Sequence, residues 1–104
     1  MPDLFTAAHR ASIILAAARN NVPPVYYHSV FARDGGLLSY GVDQVDVYRG
    51  AASYVDRILR GAKAAELPVQ FPTKFEMVLN LKTAKAIGLT IPESFLLRAD
   101  EVIE

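Results

Sequence analysis

The chain has 104 residues, with 11 Lys plus Arg against 11 Asp plus Glu and no cysteine. That length bounds it to one domain or part of one, and the balanced charge supplies no basic field for a phosphate backbone, which argues against nucleic acid as the main partner. Lack of cysteine removes disulfides and thiolate chemistry, and no run is long and apolar enough to span a bilayer.

From the N-terminus, Thr6 is placed to N-cap a helix running to about Arg19, with Ile13, Ile14, Ala17 and Ala18 on one apolar face. Leu15 and Ala16 widen that face, so the helix is expected to be well covered. Asn20-Asn21 ends it and Pro23-Pro24 forbids its continuation. Val25-Tyr26-Tyr27 then reads as a short strand, His28 to Asp34 as a helical turn broken by Gly35-Gly36, and Leu37 to Tyr40 as a second strand. The continuous apolar character of this second strand suits a parallel sheet covered on both faces.

Asp43 to Arg60 is the clearest helix. Tyr48, Ala51, Ala52, Val55, Ile58 and Leu59 recur at helical spacing, acids sit near its N-terminus and arginines near its C-terminus. Asp56 and Arg60 are placed to pair, and Gly61 is a natural stop. Burial of Tyr48, Val55, Ile58 and Leu59 is expected to stabilise by about 1.5–3 kcal/mol each.

Gly61 to Pro72 reads as a linker, Phe75 to Leu79 as a strand, and Asn80 as the cap of a short helix ending at Gly88. Pro92 opens a last helical turn, and Glu101-Val102-Ile103 closes the chain as an edge strand. This alternation indicates an α/β fold: a short, mostly parallel sheet flanked by helices.

Catalytic chemistry finds little support. His9 and His28 are the only histidines. Neither stands in a metal-binding spacing such as HExxH, so no metal is expected. His9 reads as a packing residue, and His28 as a polar loop residue or a ligand contact. Ser39, His28 and Asp34 make a triad only on paper, since the GxSxG elbow is missing. "RDGGLL" matches no phosphate-binding loop, no cofactor is expected, and the chain is read as a non-enzyme.

The tyrosines carry more. Tyr26, Tyr27 and Tyr40 lie at or near strand ends with Phe31 close in sequence, and ligands of open α/β sheets collect outside strand ends. A ring with one polar tip suits a small organic ligand as well as it suits a sheet–helix interface. Alternation puts Tyr26 and Tyr27 on opposite faces.

The segments "GGLLSYG", "AASYVDRILRGAK", "LPVQFPTKFEMVLNLKTAKAIGLTIP" and "ADEVIE", in this order, resemble the C-terminal part of ABC-transporter substrate-binding proteins related to tryptophan-binding periplasmic proteins. The resemblance covers nearly the whole chain. It implies a type I periplasmic-binding-protein fold, two α/β lobes joined by crossing strands with the ligand between them. Residues 1–41 then correspond to a remnant of the second lobe and 42–104 to a segment returning towards the first, the two expected to form one compact unit. By position, Tyr27, His28, Phe31, Gly35, Gly36, Ser39 and Tyr40 are implied as ligand-binding residues, with Gly41 giving backbone freedom at a crossing. The implied solute is a small organic molecule such as an amino acid, and the implied partner of the full-length parent is an ABC permease. The family is periplasmic, whereas "MPDLFTAAHR" lacks the order of a secretory signal and points to the cytoplasm for the chain as given. A fragment of such a protein, forming a homo-oligomer, is expected, and a self-associating α/β module with no retained ligand binding is the alternative, because a partial lobe leaves strand edges and apolar faces to cover.

Overall fold

A computed structural model describes residues 3–104. It divides the chain into two compact units, one made by the chain up to Gly41 together with Glu76–Glu104, the other by Val42–Phe75.

The first unit starts with two short helices. Asp3, not Thr6, is the cap: its Oδ1 accepts the Thr6 N–H at 2.6 Å and opens α1, Leu4–Ala8. His9 breaks the expected single helix, and α2 runs Arg10–Arg19. The break is local: the His9 ring stacks on Phe5 at 4.2 Å while its Nδ1 bonds the Phe5 carbonyl at 2.8 Å. Ile14 is the one buried residue of α2, while Leu15 and Ala18 are exposed, so the helix is covered along a single narrow stripe. Asn20 stops it with Nδ2 on the Ala16 carbonyl, and Asn21 takes a positive φ of 51°, tolerable for asparagine.

Four strands follow in sequence order across one sheet: β1 Val25–Tyr26, β2 Leu38–Val42, β3 Phe75–Asn80 and β4 Glu101–Ile103. β1 and β2 are parallel, as are β3 and β4. Between the central strands, the Asn80 N–H donates to the Leu37 carbonyl at one end and the Asp43 N–H to the Lys74 carbonyl at the other. Residue numbers therefore run in opposite senses, and β3 is antiparallel to β2. The sheet is two parallel pairs joined back to back.

Short helices tie these strands together. His28 caps α3, Ser29–Arg33, and Asn80 caps α5, Leu81–Ala86, by accepting the Thr83 N–H at 3.2 Å. The Asn80 amide also donates to the Ala32 carbonyl at 2.9 Å, and Thr83 Oγ1 to the Gly35 carbonyl at 2.8 Å. These bonds join the end of β3 to the end of α3 and satisfy groups that burial would otherwise penalise. Gly88 takes the positive φ that ends α5, and Pro92 precedes α6, Glu93–Arg98. Ile14, Tyr26 and Phe31 form the core cluster, with Ile13, Tyr27 and Val30 packed against it. Val78, Leu79 and Ala84 are equally buried.

The strand read as covered on both faces is not. In β2, Ser39 is 1% exposed whereas Tyr40 is 53% exposed. The polar residue faces in and the aromatic one out, inverting what polarity alone predicts.

The second unit is built on α4, Gln44–Leu59. Asp43 caps it, accepting the Asp46 N–H at 3.1 Å, and Lys74 Nζ stands 3.4 Å from the Asp43 carboxylate. The amide donation first and Lys74 second hold that carboxyl below its ordinary range. The expected Asp56–Arg60 pair forms at 3.0 Å, and Gly61 has a φ of 107°. The Tyr54 hydroxyl donates to the Pro68 carbonyl and holds the 68–73 segment beside the helix. Burial of the helix's apolar face is overturned: α4 contains no buried residue, and Tyr48 (72%) and Leu59 (82%) are largely exposed, with Val55 and Ile58 about half so. Spacing records that a face is apolar, not what covers it.

Candidate functional site

The aromatic residues around β1 enclose the most site-like space in the first unit. A cleft of about 250 Å³ is lined by Thr6, Ile13, Val25, Tyr26, Tyr27 and Phe31. Its walls follow from local structure. Tyr26 ends β1, and Tyr27 follows it on the opposite side of the extended chain. The chain then turns at His28, whose Nδ1 accepts the Val30 N–H at 3.1 Å and starts α3. That cap carries Phe31 back over both tyrosines, 4.7 Å from the Tyr26 ring and nearly parallel to it, and 5.4 Å from the Tyr27 ring. The Tyr27 hydroxyl donates to the Asp3 carbonyl at 3.3 Å. Asp3 also caps α1, which carries Thr6, so one residue ties the cleft's aromatic wall to its helical wall. Amide donation from Thr6 is the main cause that holds the Asp3 carboxyl below its ordinary range.

Among the described residues, no charged side chain lines this cleft. Three rings and two aliphatic side chains give an apolar seat, and the hydroxyls of Thr6 and Tyr27 stand at its border. Such a site favours an uncharged, flat or aliphatic group. It holds no nucleophile paired with a base, and among the described residues no cluster of His, Cys, Asp or Glu could hold a metal ion.

The seven residues expected at a site separate in the structure. Tyr27 and Phe31 line the cleft. His28 is next to it as the helix cap, edge-on to Tyr27 with ring centres 6.3 Å apart. Gly35 and Gly36 line a different, far smaller space beneath Tyr26, together with Ile14, Leu37 and Thr83. Ser39 is sealed in the core with its Oγ unpartnered, and Tyr40 points to the other face of β2.

Reading the sequence for a site missed Thr6, Ile13 and Val25. Thr6 had been assigned to capping and Ile13 to a helix face. The signal that could have found them is the run Pro23-Pro24-Val25-Tyr26-Tyr27, which folds the chain back along the helix it has just left. Tyr26 is both wall and core. It is 8% exposed, its hydroxyl has no partner, and burial pushes its phenol above the ordinary range.

A family model described as "ABC transporter substrate binding protein" matches residues 2–103. Two solved structures are similar over nearly all of the chain. One, a conserved domain protein from Vibrio cholerae O1 biovar El Tor strain N16961, superposes with a TM-score of 0.90 at 30% identity, over 96% of this chain and 34% of that one. The other, an ABC domain in complex with L-Trp from Streptococcus pneumonia, gives 0.86 at 31% identity, over 97% and 35%. The chain thus spans about a third of the length of either structure. No curated protein matches it.

Proposed function

We propose a solute-capturing role for this chain, which belongs to the ABC transporter substrate-binding protein family. The observation that carries the proposal is the uncharged aromatic cleft of Tyr26, Tyr27 and Phe31, found in a chain of that family. In this reading the cleft is the second lobe's share of the solute site. Tyr27 and Phe31 contact the solute, Thr6 and His28 border it, and Tyr40 serves the same solute from the middle of β2. The solute is a small organic molecule with an uncharged apolar part, such as an amino acid carrying an apolar or aromatic side chain. A permease receives it, and capture takes place in the periplasm. Residues 1–41 belong to the second lobe, and the chain returns towards the first lobe from residue 42, where the exposed apolar face of α4 finds its cover.

The test is NMR titration of the chain with L-tryptophan, the molecule carried by the pneumococcal structure, with aspartate and lysine as charged comparisons. Saturable shifts confined to Thr6, Ile13, Tyr27 and Phe31, given by tryptophan and not by the charged amino acids, support the reading. Shifts that are absent, or equal for all three, sink it.

One observation favours a second reading. The α4 stripe of Tyr48, Val55, Ile58 and Leu59 is exposed, and a copy of the same chain would cover it. Sedimentation velocity decides: a dimer that Leu59→Glu dissociates favours self-association, whereas a monomer across the micromolar range removes it.

A further inference from the structure

Two glycines pack against the cleft's aromatic residues, one against the Tyr26 ring and the Phe31 backbone, the other against the Tyr27 backbone. A Cβ at Gly36 would lie 2.6 Å from Cε2 and 2.9 Å from Cδ2 of Tyr26, and 2.7 Å from the Phe31 carbonyl oxygen. A Cβ at Gly41 would land on the carbonyl oxygen of Tyr27. Neither glycine lines the cleft, yet between them they touch each of its aromatic residues. The remaining glycines are different in kind. Gly35 has only a side-chain methyl of Ile14 at 3.7 Å, and Gly50 has nothing within 4 Å.

We propose that Gly36 and Gly41 are positioning residues that set the width of the aromatic cleft from behind. The inference takes its functional meaning from the solute-binding reading above, but its geometry stands apart from it. Gly36 donates its N–H to the Phe31 carbonyl at 2.7 Å, so the contact that a side chain would break is also a bond that fixes where Phe31 sits. Gly41 occupies β2 where that strand passes the end of β1, and the space left by its missing side chain is filled by the backbone of Tyr27. Added bulk at either point acts on residues of the cleft. It displaces the Tyr26 ring and the Phe31 carbonyl at Gly36, or the Tyr27 backbone at Gly41, and all three residues line the cleft. In this proposal Gly36 acts on the residues that line the cleft and does not line it itself.

The experiment uses the full chain and two probes. Xenon, detected through methyl shifts of Ile13 and Val25, reports the cleft without reference to any solute, and L-tryptophan reports the solute reading. Gly36→Ala and Gly41→Ala are expected to weaken xenon binding about tenfold or more, the change that overpacking by about 1.4 kcal/mol produces. Gly50→Ala is expected to leave it unchanged. Ile13→Val, which trims the facing wall, is expected to restore part of the loss in Gly36→Ala, a rescue that general loosening of the fold does not give. Folded Gly36→Ala and Gly41→Ala variants that take xenon like the wild type overturn the proposal. A xenon pattern as expected with no tryptophan binding in the wild type leaves the positioning intact and removes the solute reading. Should either substitution unfold the chain, the seating is read in the wild type. Nuclear Overhauser contacts from the Gly36 Hα protons to the Tyr26 ring must be present, and their absence overturns it.

Discussion

Tyr26→Phe is expected to make the protein more stable. The Tyr26 hydroxyl is buried with no hydrogen-bond partner, and an unpaired buried hydroxyl costs about 1–3 kcal/mol in lost hydration. Phenylalanine keeps the ring, and with it the 4.7 Å stack on Phe31 and the contact with Gly36. What is lost is one oxygen. A void of about 10 Å³ at roughly 24 cal/mol per Å³ costs only about 0.2 kcal/mol. The balance is a gain of about 1 kcal/mol or more. For a domain of this size that raises Tm by about 4–8 °C per kcal/mol. Urea and thermal unfolding followed by far-UV circular dichroism measure it at pH 7. A second arm uses pH. The folded phenol titrates above its unfolded value of about 10, so the unfolded chain ionises first. Wild-type stability is therefore complete below about pH 10 and falls as pH rises towards the folded value, and this part of the fall is missing in Tyr26→Phe. A variant less stable than the wild type at pH 7 would refute the reasoning, because it would mean that the hydroxyl has a partner, such as a water in the small space beneath it.

Three further outcomes follow from the same geometry. Ser39→Ala removes another buried, unpartnered hydroxyl and is expected to gain about 1 kcal/mol in urea unfolding. Asn80→Ala loses the α5 cap and leaves the Ala32 carbonyl unpaired, for a loss of about 2–4 kcal/mol, and Asn80→Asp, which keeps an acceptor but not the donating amide, is expected not to restore it. Arg33 pairs with Glu101 at 2.7 Å and Glu76 at 3.4 Å in half-exposed positions, so Arg33→Met is expected to cost about 1 kcal/mol or less, with the difference from wild type shrinking as salt is raised.

Much of the fold is written locally. Asn80 before "LKTAKAIG" names a cap, a short helix and its glycine stop, and each forms where the residues place it. Asp43, the Asp56–Arg60 pair and Gly61 delimit α4 in the same way, because caps, four-residue pairs and positive φ depend only on neighbours along the chain. The mix of strands and helices likewise follows from alternation of short-range pattern. Membership of the substrate-binding family was legible too, in an ordered set of motifs spread across the chain.

Tertiary structure decided the rest. No local rule tells that β3 runs antiparallel to β2, since that depends on which strand edges meet after 30 or so intervening residues have been laid down. Nor does polarity tell that Ser39 faces inward and Tyr40 outward. Strand register fixes a side chain's face, and here it overrides the modest preference of a single hydroxyl. The candidate site shows the same division. Tyr27 and Phe31 were visible as aromatic residues near a strand end, but Thr6 and Ile13 join them only because α1 and α2 fold back on β1. Gly36 and Gly41 announced themselves as glycines. That one lies against Tyr26 and Phe31 and the other against the Tyr27 backbone is a fact of close approach between segments, which the sequence alone does not specify.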